Sequence, residues 1–276
     1  MPNSDRSRTM TVLTILFTLL CCAYLSAGAM EYTGLTDYQD WALYTGYPRG
    51  MLIPLGISGI NQDYFHSLPG TAGYDSGRIV IGDSRSCQLG IRQDLTGGND
   101  YAVYAVWGGH YVPGTGTPIL TDTFFYDFEQ CFHEQIRTNR SCTVFFFATI
   151  NDYDYSANRN AGYISAAVSA AETIASMTWN YEGTEYHPKV IVIGTEGGRT
   201  TGDIFGIPQG TFNRYIDSYN RDLRTAVTQS PLLKETAPYF TTVREITGGR
   251  TTFISDGLHY SDTTLQTLAN YIKSFR

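Results

Sequence analysis

From residue 78 to the C-terminus, short runs of consecutive apolar residues alternate with stretches whose apolar positions recur every three or four residues. Residues 78–82, 101–107, 143–150 and 189–194 are rich in β-branched and aromatic side chains and too short for helices. Apolar character at successive positions is the mark of strands covered on both faces. A fifth, shorter strand is expected over 251–255. Between the strands, Ile164, Ala167, Val168, Ala171, Ile174 and Ala175 share one helical face, and so do Phe212, Tyr215, Ile216, Tyr219 and Leu223. A last helix carries Leu265, Leu268, Ala269 and Ile272 on one side, with Ser261 placed to cap its start and Lys273 and Arg276 near the negative end of its dipole. Strands alternating with helices predict one α/β domain built on a parallel sheet with crossover helices. Residues 30–77 are rich in Tyr, Gly and Pro without a sustained period, and read as an irregular N-terminal extension packed on that domain.

The first thirty residues follow another pattern. Arg6 and Arg8 precede an uncharged run over 9–30 with an apolar centre at 12–25, and Ala27 and Ala29 close it in A-x-A spacing. This is the layout of a secretory signal peptide over 1–29, and it predicts a secreted or cell-surface chain. The alternative, an uncleaved membrane anchor, has a run shorter than the roughly 20 residues that span a bilayer. Cys21 follows Leu19 and Leu20, which are too large for lipoprotein processing, and no other stretch is long and apolar enough to cross a membrane. Cys87, Cys131 and Cys142 remain after cleavage. In an oxidising compartment Cys131 and Cys142 are expected to close a small loop, which would contribute ~3 kcal/mol, leaving Cys87 as a buried thiol.

Composition narrows the partners. A formal charge of -7 with 16% charged residues argues against nucleic acid, whose binding requires a basic face. The five histidines include no H-x-x-x-H pair, and Asn151, Asp152 and Asp154 lack the glycine and distal glutamate of a calcium loop, so no metal is expected.

Ligands of an open parallel sheet bind at the carboxyl ends of its strands, where the candidate chemistry is sought. The first strand ends in Gly82-Asp83-Ser84-Arg85, which sets Ser84 at a helix N-terminus, as an N-cap or as a nucleophile whose surroundings favour an oxyanion. The second ends in Trp107-Gly108-Gly109-His110, where a glycine N–H can face the crevice. His110 has no carboxylate near it in the chain to orient it, and is expected only as a substrate contact. The third ends in Thr149-Ile150-Asn151-Asp152, where Asn151 is either a turn residue or an amide donor aimed at the same place. Before the last helix, Asp256-Gly257-Leu258-His259 can set a carboxylate against the imidazole Nδ1 and leave Nε2 to take a proton.

In chain order, these four segments resemble the blocks of the SGNH hydrolases, the esterase superfamily also called GDSL-like, over residue 78 to the C-terminus. The resemblance implies a three-layer α/β/α sandwich of flavodoxin-like type. It implies Ser84 as nucleophile, Asp256 as orienting acid and His259 as general base. The Ser84 N–H, the Asn151 side chain and a glycine N–H, at Gly109 in preference to Gly108, would form the oxyanion hole. Arg85, His110 and Asp152 are expected to flank the substrate, and no cofactor is implied. Two positions depart from the family pattern. Gly-Asp-Ser-Leu is Gly-Asp-Ser-Arg here, as in bacterial members, and Thr149 stands where the third block has glycine.

The implied activity is hydrolysis of small-molecule or polysaccharide esters, foremost acetyl esters of carbohydrate. Lipid esters are an alternative that the lack of a long apolar lid disfavours. A non-catalytic carbohydrate- or surface-binding module on the same fold is the rival from another class, with Tyr153 and Tyr155 as stacking residues. A nucleotide or flavin binder is disfavoured because the first strand–helix turn has no phosphate-cradling glycine pattern.

Overall fold

The computed structural model describes residues 57–61, 64–67, 69–70, 73–92, 100–114, 116–152, 161–199, 203–204, 206–235, 238–254 and 256–275. The leader expected over 1–29, the extension over 30–56, Tyr153, Asp154, Tyr155, Ser255 and Arg276 lie outside them.

In chain order the main elements are β1 (Ile57–Asn61), β2 (Tyr64–Ser67), β3 (Arg78–Gly82), α1 (Ser84–Ile91), β4 (Ala102–Val106), α2 (Asp122–Asn139), β5 (Thr143–Phe147), α3 (Ala161–Ala175), β6 (Lys189–Gly194), α4 (Gln209–Gln229), β7 (Phe240–Thr242) and α5 (Asp262–Lys273). The seven strands form one sheet in the order β1-β2-β4-β3-β5-β6-β7. From β4 to β7 all neighbours are parallel, while β1 and β2 form an antiparallel hairpin on the β4 edge. The chain is an α/β protein with a central, mostly parallel sheet.

Alternation along the strands feeds two apolar layers. Ile79, Ile81, Tyr104, Val144, Phe146 and Val192 join a core with Phe128 and Phe132 of α2, Ala167 and Ala171 of α3, and Tyr219 and Leu223 of α4. Phe145 points the other way, edge-on to Tyr271 of α5. Helices α1 and α5 meet on that second face, where Arg92 pairs with Asp262 at 2.8 Å. Because β3 lies between β4 and β5, the chain leaves it to one side and returns on the other. The crevice of such a sheet opens at that switch point, outside the carboxyl ends of β3 and β5.

Five expectations are corrected. Residues 57–67 are not irregular: they hold the two strands of the edge hairpin. The fifth parallel strand is Phe240–Thr242, whereas the 251–255 region contributes only an isolated bridge between Phe253 and Tyr260. The 143–150 run stops pairing as a strand at Phe147, because its last apolar residues are buried as a loop. Ser261 holds the N-cap position of α5, but its hydroxyl pairs with Thr252 instead of capping the helix. Cys131 and Cys142 are free, buried thiols, as is Cys87. Burial pushes the Cys131 thiol up to about 12, so it stays protonated and poorly reactive.

Candidate active site

Gly82 ends β3 where a side chain has no room, since a Cβ would run into Ser86 Oγ and the Phe147 Cβ. The tight exit starts α1 at once. Asp83, not Ser84, is its N-cap, accepting from the Arg85 N–H at 3.0 Å through Oδ1. Ser84 is therefore relieved of the capping role and opens the helix with its hydroxyl directed elsewhere.

That hydroxyl meets His259, with Ser84 Oγ 3.0 Å from Nε2. Nδ1 of the same ring lies 2.6 Å from Asp256 Oδ2. The other Asp256 oxygen accepts from the Leu258 and His259 N–H groups at 2.8 and 2.9 Å, which winds the turn that presents the imidazole. Gly257, at φ 70°, supplies the left-handed backbone that this turn needs. Burial would raise the Asp256 carboxyl, but the hydrogen bond and charge of His259, with the two N–H groups, hold it below its ordinary value. An ionised carboxylate only accepts, so Nδ1–H donates to Asp256 and Nε2 is left to accept the Ser84 O–H.

Helix α1 grips the histidine turn on both sides of His259. Arg85 donates to the Leu258 carbonyl through Nε at 3.0 Å and Nη2 at 2.7 Å. It also reaches Thr195 Oγ1, the Glu196 and Gly197 carbonyls and the Tyr260 hydroxyl, and lies over the Tyr260 ring at 4.7 Å. Gln88 exchanges hydrogen bonds with the backbone of Tyr260 at 3.0 and 3.2 Å. The indole of Trp107, just past β4, stacks on the His259 ring with centroids 5.1 Å apart and planes 16° apart.

The ends of the neighbouring strands are tied to the same place through Thr149. Its hydroxyl lies 2.7 Å from Asp83 Oδ2 and 3.2 Å from the Gly109 carbonyl, and it accepts from the Asn151 N–H at 2.9 Å. Asn151 Nδ2 donates to the same Gly109 carbonyl at 3.2 Å. The threonine standing in place of the expected glycine thus joins all three strand exits. Gly108 takes φ 63° with open space where a Cβ would be, whereas Gly109 is packed against Ile119 and the Val106 carbonyl.

The structure brings Ser84, Asp256 and His259 together and places Asn151 against Gly109. It removes two residues expected to touch substrate. Arg85 is 3% exposed, and its guanidinium is spent on the protein's own acceptors. Asp152 is fully buried, accepting from the Tyr111 and Val112 N–H groups at 2.8 and 3.3 Å and facing His110 Nδ1 at 3.2 Å. Burial pushes its carboxyl up, against the pull of those N–H groups and of His110. His110 therefore does have an orienting carboxylate. It lines an open cleft with Pro118 and Leu120, Phe125 of α2 and Ala170 of α3. Sequence reading missed Trp107 and Gln88, since neither residue type signals a partner distant in the chain. Among the described residues no cluster of His, Cys, Asp or Glu could hold a metal ion, and no helix is long and apolar enough to cross a membrane.

No protein-family model and no curated protein sequence matches the chain. Among solved structures it is similar to Est24, a carbohydrate acetylesterase from Sinorhizobium meliloti, at 14% identity and a TM-score of 0.46, covering 71% of this chain and 96% of that one. It is also similar to the inhibitor-bound aryl esterase of M. smegmatis, at 14% identity and a TM-score of 0.48, covering 72% of this chain and 99% of that one.

Proposed function

We propose that the protein is a serine ester hydrolase of SGNH type that works through an acyl-enzyme. The observation that carries this reading is the unbroken relay from Asp256 through His259 to Ser84, at 2.6 and 3.0 Å, on the carboxyl side of the sheet. His259 Nε2 takes the Ser84 proton as Oγ attacks the ester carbonyl, then passes it to the leaving alcohol oxygen. Water, deprotonated by the same nitrogen, attacks the acyl-enzyme, and the proton returns to Ser84 as the acid leaves. Asp256 keeps the ring in the required tautomer and offsets the imidazolium charge. The tetrahedral oxyanion is held by the Ser84 N–H, a glycine N–H of the 108–109 pair and the Asn151 amide, with the positive end of α1 beneath it.

The substrate class we assign is acetyl esters of carbohydrate. Its support is in the sequence: the leader-like pattern over 1–29, only 16% charged residues, and the aromatic Tyr153 and Tyr155 that follow Asn151 in the chain. The test is release of p-nitrophenol from acetyl, butyryl and octanoyl esters by the full chain and by Ser84→Ala. We expect hydrolysis strongest with acetyl and reduced at least ~10³-fold in the mutant. A wild type no faster than the folded mutant would overturn the esterase, and a preference for octanoyl would replace the acetyl ester with a lipid ester.

A further inference from the structure

Resting on the serine-hydrolase reading, we propose that Trp107 is a positioning residue that acts through His259, its indole face stabilising the imidazolium during acyl transfer. Asp256 holds the imidazole at Nδ1 and Ser84 meets it at Nε2. Hydrogen bonds to ring nitrogens lie in the plane of the ring, so these two contacts fix its edges. Trp107 covers one face, nearly parallel, at a centroid separation of 5.1 Å. Aromatic pairs favour offset-stacked or edge-on geometries, but an imidazolium over an indole face gains a further attraction, because the π-cloud is negative there.

The timing of the charge gives the stack its catalytic weight. In the resting site Ser84 Oγ lies 3.0 Å from His259 Nε2. When the proton crosses from Oγ to Nε2, the ring gains a unit charge facing Asp256 on one edge and the indole on one face. An interaction that is stronger in the transition state than in the ground state raises turnover rather than affinity. Trp107 is also the residue after β4, whose Gly82–Ala105 pairing sets it beside the β3 exit that carries Ser84. The stack therefore fixes the base against the nucleophile from a neighbouring strand. An indole face spent on His259 is closed to a sugar ring, so a substrate platform on that face is ruled out.

The test replaces Trp107 site-specifically with mono-, di- and trifluorinated tryptophan, which keeps the shape of the ring while draining its negative face. We expect kcat on p-nitrophenyl acetate to fall stepwise with each fluorine while KM stays within about twofold. Trp107→Leu should lose about 3- to 30-fold in kcat, the range that a cation–π contact of this kind supplies, and Trp107→Phe should restore part of it. A flat fluorine series, or an effect confined to KM, overturns the proposal. Ser84→Ala separates the two failures. If Ser84→Ala abolishes hydrolysis and the fluorine series is flat, only the role of Trp107 falls. If it leaves hydrolysis intact, or the wild type shows none, the serine hydrolase falls and the role of Trp107 with it.

Discussion

Among the described residues, the Asp–His pairs Asp256–His259 and Asp152–His110 lie at the same end of the sheet, and they have opposite characters. In Asp256–His259 the contact is 2.6 Å, the carboxylate side chain is 38% exposed, and the far imidazole nitrogen meets a serine hydroxyl. In Asp152–His110 the contact is 3.2 Å, the carboxylate is wholly buried, and it is also committed to two backbone N–H groups of the 111–112 segment. The side chain of Tyr111, whose N–H bonds Asp152, is anchored in turn, its hydroxyl donating to the Phe147 carbonyl at 2.9 Å and its ring stacked on Phe146 at 4.4 Å. An Asp–His pair is thus not a catalytic signature by itself. What differs is the partner on the remaining nitrogen and the work already assigned to the carboxylate. One pair presents its far nitrogen to a serine hydroxyl, and the other fastens a loop.

The sharpest way to break the comparison is to delete each imidazole. His259→Ala should cost at least ~10³-fold in kcat/KM, while His110→Ala should stay within about threefold, both read on p-nitrophenyl acetate; comparable losses would erase the distinction. Next in size is Asn151→Ala, the neighbour of Asp152. On the proposed mechanism this loss of an oxyanion donor should lower kcat by about 10²-fold with the denaturation midpoint little changed, and an unchanged rate would take Asn151 out of the mechanism.

The smallest expected effect is the most discriminating, because the two carboxyls are shifted in opposite directions. Asp256 sits below its ordinary value, so its contribution to stability is complete above about pH 4 and is lost as the pH falls through its native value. Asp152 sits above its ordinary value, so its contribution is complete below about pH 4 and is lost as the pH rises through its native value. In urea unfolding between about pH 3 and pH 7, Asp256→Asn should therefore lose least, relative to wild type, at the acid end, and Asp152→Asn should lose most there. Parallel trends would show that the two environments are not opposed as described.

The burial-driven part of the architecture was legible in the residues. Consecutive apolar runs located β3, β4, β5 and β6, because strands covered on both faces need apolar side chains at every position. Helical spacing found the inner faces of α3, α4 and α5 for the same reason. The same signal overran β5 at 148–150, since a buried loop is as apolar as a strand. It also placed the start of β7 eleven residues late, at 251 instead of 240, because three residues at the β6 edge carry too little pattern to stand out. The hairpin over 57–67 escaped because its pairing with β4 is a relation between distant segments.

The candidate site divides in the same manner. The sequence pointed to the side chains that the structure gathers: Ser84 after a glycine exit meets His259, Asp256 meets the other ring nitrogen at the spacing of a single turn, and Asn151 after a strand lies against Gly109. These were legible because ligands of an open parallel sheet gather at the carboxyl ends of its strands, and polar residues there stand out from the apolar runs. Which polar groups are already engaged within the protein depends on the fold. Arg85 and Asp152 read as substrate contacts from their positions in the chain, yet five protein acceptors claim the one and two N–H groups with His110 claim the other. Trp107 showed the converse, a residue with no polar signal that lies on the imidazole face. A buried polar group must find its partners wherever the fold puts them, and those partners sit as far apart in the chain as Arg85 and Leu258.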